Sequence, residues 1–152
     1  MATMTQARVR YEDDLFAWTQ EQAALLRAHA VDGLDWENLA EEIESMGWRD
    51  RRELESRLAV VLLHLLKWQA QPALRGSSWR KSLRTQRREI RKLLKQSPSL
   101  RREVPGLIHN AYADAVKDAT DETGLRAGIF PDRCPYAPDD VLDEDHLPAT
   151  DL

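Results

Sequence analysis

Residues 58–69 read Leu-Ala-Val-Val-Leu-Leu-His-Leu-Leu-Lys-Trp-Gln, and the reading of this stretch decides the fold. From Leu58 to Leu66 it is apolar on nearly every side, broken only by His64. Strand alternation is absent, and Leu54, Leu58, Leu62 and Leu65 repeat at the three-to-four spacing of one helical face. The pattern predicts a helix from about Trp48 to Gln71, ended by Pro72, which disfavours helical geometry in the residue before it. A helix that is apolar all round belongs at the centre of a bundle.

Working outward, the same period recurs on both sides. Upstream, Asp35 is placed as an N-cap, and Trp36, Leu39, Ala40, Ile43 and Met46 are expected to form a buried face before Gly47 stops that helix. Before it, a first helix is expected from Asp13 to about His29, with Leu15, Trp18, Gln22, Leu25 and Leu26 on one side. Downstream, a fourth helix follows Ser77-Ser78 and ends near Gln96. Ser97-Pro98 opens a fifth, which Pro105 interrupts or kinks and Gly124 ends. Phe130-Pro131, Cys134-Pro135-Tyr136 and Pro138 then mark an irregular arm, packed on the bundle and closing with one helical turn over Asp139 to Asp145 and a frayed acidic tail. The expectation is an all-α, up-and-down bundle of four to five helices with an irregular Pro-rich C-terminal arm. Residues 1–12 are read as a flexible N-terminus, 13–142 as a single helical-bundle domain including the arm, and 143–152 as the acidic tail.

The length of 152 residues, with 42% hydrophobic and 32% charged side chains, fits one globular domain rather than a disordered chain. No run approaches the roughly 18 apolar residues of a membrane span, and the first ten residues show no signal-peptide core. One cysteine, Cys134, excludes an internal disulfide, so a cytoplasmic location is expected. The net charge is −4, but it is unevenly placed. Arg75 to Arg102 holds eleven Lys/Arg against Glu89 alone, a local +10, which leaves −14 on the rest. Either an anionic partner or acids within the fold must answer that segment.

Several motifs stand in order along the chain: Asp14-Leu15-Phe16-Ala17-Trp18, NLAEEIESMG over 38–47, HLLKWQ over 64–69, Ser78-Trp79, SPSLR over 97–101 and FPDRCPY over 130–136. Together they resemble the domain of unknown function 29 family across about residues 11–148. The resemblance implies an all-α bundle and a bacterial cytoplasmic protein. No activity is assigned to that family, so no catalytic residue is carried over.

Three constellations carry chemistry. Arg80, Arg84, Arg87, Arg88 and Arg91, with Lys95, are read as a cationic stripe on the fourth helix, facing away from Trp79, Leu83 and Ile90. It suits phosphates or carboxylates. Internal pairing is the simpler reading, and no nucleic-acid-binding fingerprint accompanies the stripe. Glu37, Glu41 and Glu44 share one flank of the second helix, at a cost of about 0.2–0.5 kcal/mol per like-charge pair, which a nearby cation would relieve: arginines of the fourth helix, the arginines of residues 49–52, or a metal, with arginines expected. Glu41, Glu42 and His64 are the weak catalytic or ligating candidates. No histidine on a bundle helix has an acid three residues before it, so no metal and no cofactor are expected. His64 is expected to be a core histidine donating to a carbonyl or carboxylate, and Cys134 to be inert. The functional expectation is a non-enzymatic helical module binding another macromolecule, a protein first, with no membrane partner. The alternative is a nucleic-acid-associated protein or small nuclease-like enzyme using the basic fourth helix. The oligomeric state is not legible.

Overall fold

The computed structural model describes residues 8–152. Five α-helices and no strand are present among these residues, so the chain is all-α. The helices are α1 (Leu15–Arg27), α2 (Trp36–Ala70), α3 (Ser77–Gln96), α4 (Val104–Thr123) and the short α5 (Pro138–Leu142). The chain divides into two compact units, the first ending at Trp48 and the second covering Arg49–Leu152.

The expected second and third helices are one: α2 runs unbroken for 35 residues through Gly47. Glycine costs only about 1 kcal/mol inside a helix, and Gly47 has no positive φ. Gly124, at φ 71°, does end α4, and its N–H donates to the Thr120 carbonyl at 2.9 Å. Other boundaries shift slightly. Asp14, not Asp13, caps α1 by accepting from the Ala17 N–H at 2.9 Å. That helix ends at Arg27 because His29 turns left-handed at φ 53°, with the Ala30 N–H returning to the Leu25 carbonyl. Pro105 does not kink a helix. A 3₁₀ turn over Pro98–Glu103 precedes it, and it sits in the first turn of α4, where no amide donor is needed.

Within the first unit, α1 and the start of α2 form an antiparallel hairpin. Asp35 is its pivot. Its carboxylate accepts from the Trp18 indole at 3.2 Å and the Asn38 amide at 2.8 Å, while its own N–H donates to buried Gln22. The Asn38 bond leads in holding the Asp35 pKa below its ordinary value. The turn comes so close to α1 that a Cβ on Gly33 would lie 2.9 Å from Leu25. Tyr11 stacks edge-on against Trp18 at 5.0 Å and donates to Glu42 at 2.6 Å. The flexible N-terminus expected over 1–12 lies partly outside the described residues; from residue 8 onward the chain is tied by Tyr11 and by the Val9 N–H on Glu21.

This pivot corrects the expected buried face of α2. The Asn38 and Glu42 side turns toward α1, so Trp36 (62% exposed), Ile43 (67%) and Met46 (60%) face outward.

In the second unit, the apolar half of α2 is central, as its all-round composition requires, with Leu54, Leu58, Val61, Leu62, Leu65 and Leu66 fully buried. Arg57 on Gln86 and Lys67 over Trp79 set α3 antiparallel to it. Arg51 on Glu103 and Lys67 on Glu122 set α4 parallel. The arm then packs back: Phe130, Tyr136 and Val141 join the core, and Tyr136 donates to Gln69. The tail is not frayed. Gln69 donates to the Thr150 carbonyl at 2.8 Å, and Arg75 pairs with Asp151.

A buried charged tie is Arg87, 1% exposed. Its guanidinium donates to the carbonyls of Val141 (2.9 Å), His146 (2.8 Å), Asp140 (3.1 Å) and Glu144 (3.4 Å), around the C-terminal end of α5. Replacing Arg87 with Met strands those acceptors. Urea unfolding should show a loss of about 3–5 kcal/mol, with early proteolysis between residues 138 and 147, and Arg87→Lys should recover part of it. A loss under about 0.5 kcal/mol, the size of an ordinary surface change, would contradict this role.

Candidate functional site

The cationic stripe was the first candidate, and α3 shows where each member lies. Gly76 precedes the helix, and Leu83, Ile90, Leu93 and Leu94 bury one face. Arg87 belongs to that face rather than to the stripe. Positions 83, 87, 90 and 94 follow the i, i+4, i+7, i+11 spacing of a single stripe, so the sequence did hold the signal. Arg91 reaches Glu144 of the arm at 2.7 Å. Arg88 and Lys92 share Glu89 at 3.5 and 2.9 Å, and the Lys92 hydrogen bond leads in lowering the Glu89 pKa. Arg80 lies over the Trp68 ring at 5.2 Å, on which Arg75 also stacks at 5.2 Å. Arg84 is exposed, beside Glu144 and Asp145 in a shallow recess of about 70 Å³. The acids that answer these arginines in the second unit are thus Glu89 and Glu144, neither of which the sequence reading assigned to them.

Of the weak catalytic candidates, Glu42 is held by a structural bond, Glu41 stands exposed, and His64 is half-buried. Glu42 accepts the Tyr11 hydroxyl, and this bond is the main cause of a Tyr11 pKa pushed up to about 12. Glu41 is exposed on α2. His64 is half-buried beside the Lys67–Glu122 ion pair (2.6 Å). Its Nδ1 is buried without a hydrogen bond, which differs from the expected donation to a carbonyl or carboxylate. Burial lowers its pKa, Lys67 adds to the shift, and Glu122 opposes it. Among the described residues no three His, Cys, Asp or Glu side chains come together as a metal site would need.

One concavity that sequence reasoning missed is a cleft of about 530 Å³ between α4 and the arm. Tyr112, Val116 and Phe130 give it apolar walls, with His109, Arg133 and Cys134 at its polar edge. Phe130–Cys134, the first part of the motif that ends at Tyr136, forms one side, so the motif carried part of the signal. Its acidic protons are held. Tyr112 donates to the Pro131 carbonyl at 2.6 Å, with burial pushing its pKa up to about 12. The Cys134 thiol points at the Tyr136 carbonyl at 3.7 Å, and burial raises its pKa. The cleft can therefore accept an apolar group but offers no activated nucleophile.

Two measurements follow from these shifts. His64 is neutral in the fold and binds a proton more readily when unfolded. Its stabilising contribution is therefore complete above its ordinary value of 6.5 and is lost as pH falls below it. The urea midpoint should drop between pH 7.5 and 5, and His64→Leu should flatten that drop; an unchanged slope would contradict the assignment. The lowered carboxylates Asp35 and Glu89 act at lower pH and in both proteins alike. Cys134 should alkylate more slowly than a free cysteine at pH 7.5, with the rate still rising above pH 9. Saturation near neutral pH would reveal a thiolate instead.

No curated protein and no solved structure matches this chain. A family model described as a domain of unknown function, DUF29, matches residues 10–147, nearly the whole of the helical fold described above. The chain therefore belongs to the DUF29 family.

Proposed function

We propose that this chain is a non-enzymatic helical module that binds another protein, and that the apolar row of the first unit is its binding surface. The observation that carries this reading is the row itself: Trp36, Ile43 and Met46, with Phe16 on α1 at 76% exposure, stand in solvent. Isolated exposed apolar residues need no explanation, but three at helical spacing on one face are an interaction signature. The first unit also buries little on its own. Trp18 is its one buried large apolar side chain among the described residues.

The nucleic-acid alternative would use α3. Against it stand the commitments already described, since Arg87, Arg88 and Arg91 each have acceptors within the second unit. A stripe whose charges are answered internally releases fewer counterions on meeting phosphate.

Affinity capture from the native cell at low salt separates the two. Trp36→Glu with Ile43→Glu should reduce recovery of the protein partner at least tenfold, while Arg84→Glu with Arg88→Glu should leave it within twofold. Recovery of nucleic acid that vanishes with the arginine pair, or by 300 mM salt, would overturn this reading in favour of the alternative.

A further inference from the structure

Among the described residues, the apolar row has carboxylates without a hydrogen-bond partner on one side only. At about 100° per residue, Trp36, Ala40, Ile43 and Gly47 share one strip of α2, while Glu44, Glu37 and Glu41 lie about 80–140° round from Trp36. All three glutamates are exposed, and they make no ion pair among the described residues. On the other side the polar residues Asn38 and Glu42 serve the hairpin's own bonds. The exposed surface is thus a straight apolar strip about 16 Å long, bordered along one edge by three repelling carboxylates.

We infer that the occupant of this strip is an amphipathic helix of another protein, with an apolar face against Trp36 and Ile43 and lysine or arginine along the flank that meets Glu37, Glu41 and Glu44. This rests on the proposed protein-binding role and adds the chemistry of the partner. Three turns of straight helical strip match the i, i+3, i+4, i+7 anchors of a docked helix. A third helix would also give the hairpin the core it lacks.

Charge decides among the other occupants. In a two-fold pair of antiparallel α2 helices, the same flank of each copy lies on one side of the seam, so carboxylates would face carboxylates. An anionic phospholipid surface or a phosphate backbone would meet the same repulsion. A basic flank relieves it, and it restores the favourable side of the like-charge spacing within α2.

The test uses the full chain and two labelled synthetic 18-residue helices with identical leucine faces, one flanked by lysines and one by glutamates. Fluorescence anisotropy at 50 mM salt should show the lysine peptide binding at least tenfold tighter, with the ratio shrinking by 300 mM salt. Glu37→Lys, Glu41→Lys and Glu44→Lys together should reverse the preference. Reversing three acids elsewhere (Glu55, Asp114 and Asp118) should leave it. Trp36→Glu with Ile43→Glu, its helicity confirmed by circular dichroism, should abolish binding of both peptides. Equal binding of the two peptides, still lost in the Trp36/Ile43 variant, would overturn the charge selection and leave the docking strip standing. Binding of neither peptide, or binding indifferent to Trp36 and Ile43, would overturn the docking role itself. A micromolar dimer in sedimentation velocity that Ile43→Glu dissociates would assign the strip to a second copy and overturn the basic partner.

Discussion

Arg87 carries a full positive charge into the interior of the second unit and directs it at the main-chain carbonyls of Asp140, Val141, Glu144 and His146. A buried cation without good acceptors costs several kcal/mol, so the arm must adopt the conformation that supplies them. Those carbonyls cluster where α5 ends, at the negative pole of its dipole, and Asp140, Asp143 and Asp145 add a favourable field. The guanidinium stays charged, because burial lowers its pKa from a very high starting value. From this one contact follow the burial of Val141, the placing of Glu144 against Arg91, and one wall of the recess beside Arg84.

The functional consequence is a change of emphasis between surfaces. A local charge of +10 in a protein of net −4 calls for either an anionic partner or acids within the fold, and internal pairing is the simpler reading of the sequence. In the fold, the positive segment holds the arm and tail: Arg87 and Arg91 grip residues 140–146, and Arg75 grips Asp151. The basic helix is thereby a construction element of the second unit. Among the described residues of the first unit, hydrogen bonds around Asp35 turn the Asn38 and Glu42 side of α2 toward α1 and leave the apolar row of Trp36, Ile43 and Met46 exposed.

How much of this was legible depends on which physical signal governed each element. The helical class, the central position of Leu58–Leu66 and the stop at Gly124 follow from periodicity and capping, which are local, whereas α3 starts at Ser77 itself, behind Gly76 and without a side-chain cap, rather than after the serine pair. Gly47 misled because a glycine's local cost is smaller than what the flanking helical residues contribute. Trp36, Ile43 and Met46 misled because periodicity reveals an apolar face without revealing what covers it. Arg87 was visible in principle, since it sits at a core spacing beside Leu83 and Ile90, but its partners lie over 50 residues away and are carbonyls, which no side-chain pattern can announce. Of the cleft beside Phe130–Cys134 the motif announced one side only, because its opposite wall comes from α4.

The central claim is that a buried guanidinium fixes the arm as part of the second unit's core. Amide hydrogen exchange on the full chain tests it most directly, through the N–H groups of Val141 and Asp143, which donate to Ala137 and Asp139 at 3.0 and 2.9 Å. In an isolated five-residue helix such amides would exchange almost without protection. The account predicts that they open together with the amides of Ile90 and Leu94 in α3, with the same denaturant dependence. Near-random-coil exchange at Val141 and Asp143 while α3 stays protected would show that Arg87 does not hold the arm, and would contradict the account.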